Sequence, residues 1–233
     1  MALPGCKPPT AALVAQAVDA RGGVERLHAV ESLRLTGRVT LGPVVGSLRV
    51  EFKRPGRMRM ELGLPQGTLL RLFDGTEGWT SEVASPTPAL VRMSAEELVR
   101  ARREADMDGP LLDAESKGIR FANAGKDEAQ GRSTDALDVF FPDGTVQRYQ
   151  LDAATHEPLG WQESRQVDGR PRVEETRFRA SRRVNGILFP VAIDSGVRGG
   201  PGGSHVSIDV VEVNPLLDDG RFRPGGPSVP TRH

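Results

Sequence analysis

Few side chains in this sequence are of the kinds that carry out covalent chemistry, and their spacing does not favour it. The four histidines, His28, His156, His205 and His233, are scattered, and none stands at metal-ligand spacing. They read as surface or turn residues. Cys6, the single cysteine, sits in a proline-rich N-terminal segment with no histidine near it in sequence. That argues against a thiol nucleophile and leaves no partner for an intramolecular disulfide. No serine occupies a G-x-S-x-G elbow. The run Gly199-Gly200-Pro201-Gly202-Gly203 has the glycine content of a phosphate cradle, but no Lys-Ser/Thr follows and a strand, not a helix, comes after it. It reads as a hairpin loop. Glu61, Glu77, Glu82, Glu163, Glu174 and Glu175 fall on polar strand phases or in turns. A solvated face is the default for them, with paired catalytic carboxylates as the alternative. The expectation is a protein with no catalytic residues, no bound metal and no cofactor, and not an enzyme.

What remains is binding, and the stretch Gly46–Trp79 (GSLRVEFKRPGRMRMELGLPQGTLLRLFDGTEGW) suggests of what kind. Leu48, Val50 and Phe52 alternate with charged or small polar residues. After Arg54-Pro55-Gly56, Met58, Met60 and Leu62 alternate with Arg57, Arg59 and Glu61. TLLRLF follows Pro65-Gln66-Gly67. Period-two alternation gives each strand an apolar and a polar side, and short Pro/Gly turns join such strands into an antiparallel meander. The polar side, with Arg57 and Arg59, is expected to meet water, and the apolar side to need a cover. Methionine packs adaptably, which suits a surface that meets variable acyl chains, although ordinary core packing would use it too.

The elements that must position this stretch are read in order. Residues 1–9 are expected to be unstructured. Thr10 can cap a helix over 11–21 with Leu13, Val14, Ala17 and Val18 on one side, ended by Gly22-Gly23. Strands are predicted at 32–41, through the meander to Val83, and at 118–125, 134–141, 145–151, 159–167, 172–180, 189–193 and 206–213. Between the two sets, Ser94 with Glu97 makes a capping box for a helix over 95–105, and Pro110 can open a shorter one to about Lys117. The two helical parts are the candidate covers. Residues 224–233 form a Pro/Gly tail. No composition break marks a second domain, so residues 10–223 read as one.

Composition sets further bounds. With 45 Pro plus Gly and 37% hydrophobic residues, the 233-residue chain suits a β-rich or α+β fold with many turns. Formal net charge is zero, which removes the electrostatic case for binding nucleic acid. The excess of 27 Arg over four Lys is explained by a GC-rich genome. No apolar run approaches the ~18 residues that span a bilayer.

In order and spacing, S-L-R-L-T-G-R-V, E-F-K-R-P-G-R-M-R-M-E, F-D-G-T-E-G-W, D-M-D-G-P-L-L-D, L-D-A-A-T-H-E-P-L and V-N-G-I-L-F-P resemble the LolA-like proteins, the family of outer-membrane lipoprotein-sorting proteins. The resemblance spans about residues 10–223. It implies an α+β fold: a single curved antiparallel sheet of about eleven strands, an unclosed barrel, with helices covering the concave face. It further implies a cavity for acyl chains, lined here by Leu48, Val50, Phe52, Met58, Met60, Leu62, Leu70 and Leu72, with the helix from Ala95, through Leu98 and Val99, as a movable lid. In the lipoprotein carriers an arginine in the cavity helps gate binding; Arg57 and Arg59 fall on the polar phase and do not align with it.

The function implied is that of a non-enzymatic periplasmic carrier or chaperone that binds lipid or the acyl chains of lipoproteins on the way to the outer membrane. The alternative is a structural or sensory envelope lipoprotein of the same fold with a filled core. Expected partners are lipid or lipoprotein acyl chains and an outer- or inner-membrane protein, with no nucleic acid and a monomeric state. The expected location is the periplasm or the outer membrane. Leu3-Pro4-Gly5-Cys6 looks like the end of a lipoprotein signal, with Cys6 as the lipidated residue; that reading requires a precursor beginning further upstream, and an unstructured N-terminal scrap is the alternative.

Overall fold

The alternation and the turn residues translate directly into strands. The computed structural model describes residues 9–81, 89–167 and 170–226. Two helices, α1 (Thr10–Arg21) and α2 (Val24–His28), precede a run of strands: β1 (Ser32–Leu41), β2 (Val44–Lys53), β3 (Arg57–Leu64), β4 (Gly67–Phe73) and β5 (Gly78–Ser81). After the short β6 (Leu90–Arg92) and helix α3 (Ala95–Glu104) come β7 (Arg120–Ala129), β8 (Arg132–Phe140), β9 (Val146–Asp152), β10 (Pro158–Val167), β11 (Arg170–Val184), β12 (Ile187–Val197) and β13 (Ser204–Val213). A 3-10 turn, Asp219–Phe222, follows.

These thirteen strands form one antiparallel sheet in the order β6-β5-β4-β3-β2-β1-β13-β12-β11-β10-β9-β8-β7. The order ends at β6 and β7, so the sheet is not closed. The expected single open sheet is present, with thirteen strands rather than about eleven. β6 escaped the sequence reading because three residues are too few to display a period. A second difference lies at Pro110–Lys117, where a helix was expected and turns are found. Asp113 adopts φ +53 there, which no α-helix accommodates. At the start of α1 the N-cap is Pro9, not Thr10, and no side chain caps it.

Two compact units divide the chain. The first contains residues up to Leu27 with Pro110–His205, hence α1 and β7 to β12. Leu13, Ala17 and Val18 of α1 are buried, and the helix lies against both β12 and β7. Those strands are five places apart in the sheet, about 24 Å at the usual spacing, so the helix serves the width of this strand set rather than one member. Gly160 in β10 permits close strand approach: a Cβ there would sit 2.1 Å from the Thr176 carbonyl oxygen, and its φ is +149. Asn185-Gly186, with φ +51 and +80, makes the tight turn between β11 and β12.

The second unit contains His28–Gly109 with Val206–His233, hence β1 to β6, α3 and nearly all of β13. The expected capping box is formed: Glu97 N–H donates to Ser94 Oγ at 3.2 Å and Ser94 N–H to Glu97 Oε2 at 2.7 Å. Two orphan helix donors are thereby satisfied. Each side of the sheet in this unit carries its own buried cluster.

Candidate functional site

Directly opposed residues on antiparallel strands project to the same face, so the registers of β1 to β5 sort the side chains. Phe52, Val50 and Leu48 of β2 stand opposite Met58, Met60 and Leu62 of β3. Those in turn stand opposite Phe73, Arg71 and Leu69 of β4, while Leu33 and Leu35 of β1 oppose Phe52 and Val50. Six of the eight residues proposed from sequence as cavity lining therefore share one face. The structure brings them together without closing them off uniformly: Met58 and Leu48 are buried, whereas Val50, Phe52, Met60 and Leu62 are half-buried.

Leu70 and Leu72 are a correction. They oppose Glu61 and Arg59 and pack on the other face with Trp79 and Leu90. The cause is the register of a two-residue hairpin. Leu64 pairs with Gly67 around Pro65-Gln66, which places Leu69, Arg71 and Phe73 in phase with the methionines. Because TLLRLF is apolar at both phases, alternation alone could not choose; counting outward from the turn would have done so.

Helix α3 covers one end of the apolar face. Ala101 and the C-cap Ala105 pack with Met58, Phe73 and Met93, and Val50, Phe52 and Leu98 lie against the cluster. Small residues on the helix let it approach closely. Gly78 opposes Phe73 on this face, and a Cβ there would meet Met93 Sδ at 2.5 Å and Leu98 Cδ2 at 3.0 Å. Of the two proposed lid residues, Leu98 therefore faces the sheet, whereas Val99 is exposed. The helix is also tied by charge. Arg71, standing between Met60 and Thr80 on the apolar face, donates to Glu104 of α3 at 2.6 Å. Beyond the helix, Asp108 accepts two hydrogen bonds from Arg54, at 2.7 and 2.9 Å, and Arg54 Nε donates to the Val30 carbonyl at 2.7 Å. The arginine on the apolar face is thus Arg71, which sequence reasoning passed over because it lay within the misphased segment.

The opposite face was expected to meet water, and here the structure differs. The Glu51 side chain is fully buried, as is that of Arg59 at 4% exposure. What covers them is the segment after β13. Phe222, Leu217 and Arg221 are buried. Glu51 accepts from Arg34 Nε at 2.8 Å and from Arg221 Nε at 2.8 Å. Arg59 donates to the Arg221 carbonyl at 2.9 Å and, through Nε, to Glu61 at 2.7 Å. Lys53 and Arg57 both reach Asp219, at 2.6 and 2.8 Å. Asn214 accepts from the Glu31 N–H at 2.8 Å and donates to the Ala29 carbonyl at 2.9 Å. Burial pushes the Glu51 carboxyl up, but the hydrogen bonds from Arg221 and Arg34 outweigh it and leave the group below its ordinary value. Charged alternation read as solvent exposure because the covering segment lies about 170 residues away in the chain.

Of the remaining sequence candidates, Glu163 is buried, not solvated, and stands directly opposite the half-buried Glu174 on β11; Glu175 is half-buried beside it, and Glu77 lies in a separate turn before β5. His28, His156 and His205 lie on separate elements, His205 Nδ1 standing 2.6 Å from Asp194 Oδ1. Cys6, Glu82 and His233 lie outside the described residues. Among the described residues, no group of three or more His, Cys, Asp or Glu could hold a metal ion, and no helix is long and apolar enough to cross a membrane.

No protein-family model matches the chain, and no curated protein matches its sequence. Solved structures do match its fold. A DUF1329 family protein from Desulfovibrio piger superposes with a TM-score of 0.62 at 12% identity, covering 93% of this chain and 98% of that one. A domain described as an outer membrane lipoprotein-sorting protein from Vibrio parahaemolyticus gives 0.61 at 12% identity, over 91% and 95% of the two chains. A LolA superfamily protein from Nitrosomonas europaea gives 0.57 at 12% identity, over 91% and 96%. The fold shared over nearly the full length of these chains is the LolA-like fold.

Proposed function

We propose that this protein is a non-enzymatic lipid-binding protein of the cell envelope, a carrier that holds acyl chains against the apolar face of β2 and β3. One observation carries the reading. Leu48, Val50, Phe52, Met58, Met60 and Leu62 form a continuous apolar face whose Met58 end packs beneath α3, with Val50 and Phe52 against that cluster, while Met60 and Leu62 further along the face are half-buried. Apolar surface of this kind is disfavoured in water and is stabilised by a matching apolar ligand. Each buried methylene contributes about 0.8 kcal/mol, so a dozen are enough to retain a chain without charge pairing. The fold shared with a lipoprotein-sorting domain and a LolA superfamily protein supports the same reading. In it α3 is the lid, the partners are lipids or lipoprotein acyl chains, the location is the periplasm or outer membrane, and Cys6 is the residue that lipid would modify in an anchored form.

The test is titration of the purified protein with a dansylated fatty acid, alongside native mass spectrometry for co-purified lipid. Saturable binding is expected, and Met60→Glu, which places a charge on the half-buried part of the face, is expected to abolish it. Glu61→Gln, on the opposite face, leaves it intact. Absence of binding by the wild-type protein, or equal binding by the Met60→Glu variant, rejects the carrier. A second reading, an envelope structural or sensory lipoprotein, is favoured by the filled packing of Met58, Phe73 and Ala101 beneath α3. It is the reading left standing if no acyl probe binds and a Cys6→Ala change releases the full-length protein from membranes.

A further inference from the structure

We propose that the first unit carries a binding site for a neutral sugar ring, formed on one face of β9, β10, β11 and β12. The registers place Tyr149, Trp161, Thr176 and Ser195 directly opposite one another in a single cross-strand row. The neighbouring row on the same face is Gln147, Glu163 and Glu174. The composition of this patch is unusual for the chain, which has one tyrosine and two tryptophans in all. The tyrosine and one tryptophan are immediate cross-strand partners here, and both are half-buried.

The polar side chains around the aromatic pair are already oriented. Glu163, buried at 4% exposure, accepts from Gln147 Nε2 at 2.9 Å and from Arg165 Nε at 2.6 Å. The Thr176 and Ser195 hydroxyls lie 3.0 Å apart. Glu174, with its side chain 43% exposed, stands 3.9 Å from Arg165. Arg172 opposes Arg165 across the strands, so the two carboxylates are matched by two guanidinium groups. A patch without net charge gives an ionic ligand no advantage.

A neutral ligand that answers this chemistry has flat C–H surfaces for the aromatic rings and an edge of hydroxyls that both donate and accept. The rings supply apolar area with fixed geometry. Carboxylate, amide and hydroxyl groups supply complementary acceptors and donors at orientations already set by their mutual hydrogen bonds. Trp161 and Tyr149 are paired directly across β9 and β10, strands that lie about 4.8 Å apart, so the two aromatic side chains are immediate neighbours on one face. The site shares no residue with the acyl-binding face, and either proposal can fail without the other.

The test uses saturation-transfer NMR and tryptophan emission with a panel of methyl pyranosides (gluco, galacto, manno and N-acetylglucosamine forms), on the full chain. Saturable binding by at least one is expected, with transfer strongest to ring C–H protons. Trp161→Leu is expected to weaken it about tenfold or more, as loss of a central aromatic contact does. Glu174→Gln, at a half-exposed position where folding is not at risk, weakens it severalfold, and Trp79→Phe leaves it unchanged. If Trp161→Leu does not fold, Glu174→Gln and Tyr149→Phe decide. The proposal is overturned if no pyranoside binds the wild-type protein, if binding is indifferent to these changes, or if tetramethylammonium binds more tightly than every pyranoside.

Discussion

Glu51 carries the strongest prediction at the scale of single residues. Its carboxylate has no solvent exposure and is held by Arg34 and Arg221. Removing one partner of a buried pair leaves a charge poorly compensated, which costs about 3–5 kcal/mol. With Arg34 still present, Arg221→Ala is expected at the lower end of that range, measured by urea denaturation. The pH dependence follows from the lowered value of the Glu51 carboxyl. A carboxyl that ionises more readily when folded stabilises the fold above its ordinary value, near 4.5, and loses that contribution as pH falls through its lower folded value. The stability gap between wild type and Glu51→Gln is therefore expected to be constant from pH 7 to 5 and to shrink below about pH 4.5. A gap that stays constant to pH 3 would remove Glu51 from the acid limb.

At the scale of elements, α3 is the piece whose attachment can be tuned. Its N-terminus rests on the Ser94 and Glu97 box, so Ser94→Ala is expected to cost about 1 kcal/mol. The Arg71–Glu104 pair is partly exposed, and pairs of that kind contribute about 0–1 kcal/mol to stability. Glu104→Ala is accordingly expected to leave the urea midpoint nearly unchanged. Under the proposed function it should nevertheless speed uptake of an acyl probe in stopped-flow mixing, because it frees the helix from the face it covers. An unchanged rate would mean that α3 is a fixed roof. Ala101 gives the converse test. It is fully buried against Met58 and Phe73, so Ala101→Leu overpacks the seam and is expected to destabilise by about 1–3 kcal/mol.

At the scale of the whole molecule, the segment after β13 matters more than its proline- and glycine-rich composition suggests. It buries Leu217 and Phe222 and supplies Arg221. Deleting the chain beyond Asn214 leaves Glu51 with Arg34 alone and Arg59 with Glu61 alone, and uncovers a sheet face. A loss of at least about 3 kcal/mol is expected, a large share of the 5–15 kcal/mol typical of a folded protein. A truncated protein with an unaltered denaturation midpoint would show the segment to be an ornament.

Much of the architecture was legible without coordinates. Period-two runs marked the strands because a half-buried strand must alternate. Ser94 and Glu97 marked α3 because a helix N-terminus needs acceptors for its orphan donors. That Leu48, Val50, Phe52, Met58, Met60 and Leu62 share one face was legible as well, because β2 and β3 alternate cleanly. Leu70 and Leu72 were not, since a strand apolar at both phases leaves its facing to the register of its neighbour. Pattern in the sequence thus determined most of the strands, helices α1 and α3, and the apolar sides of β2 and β3, all of it local steric and hydrophobic chemistry. Which apolar sides are brought together, and which charges are buried, was decided only by tertiary structure, because Arg221 reaches Glu51 and Arg71 reaches Glu104 through space, across separations that no periodicity records.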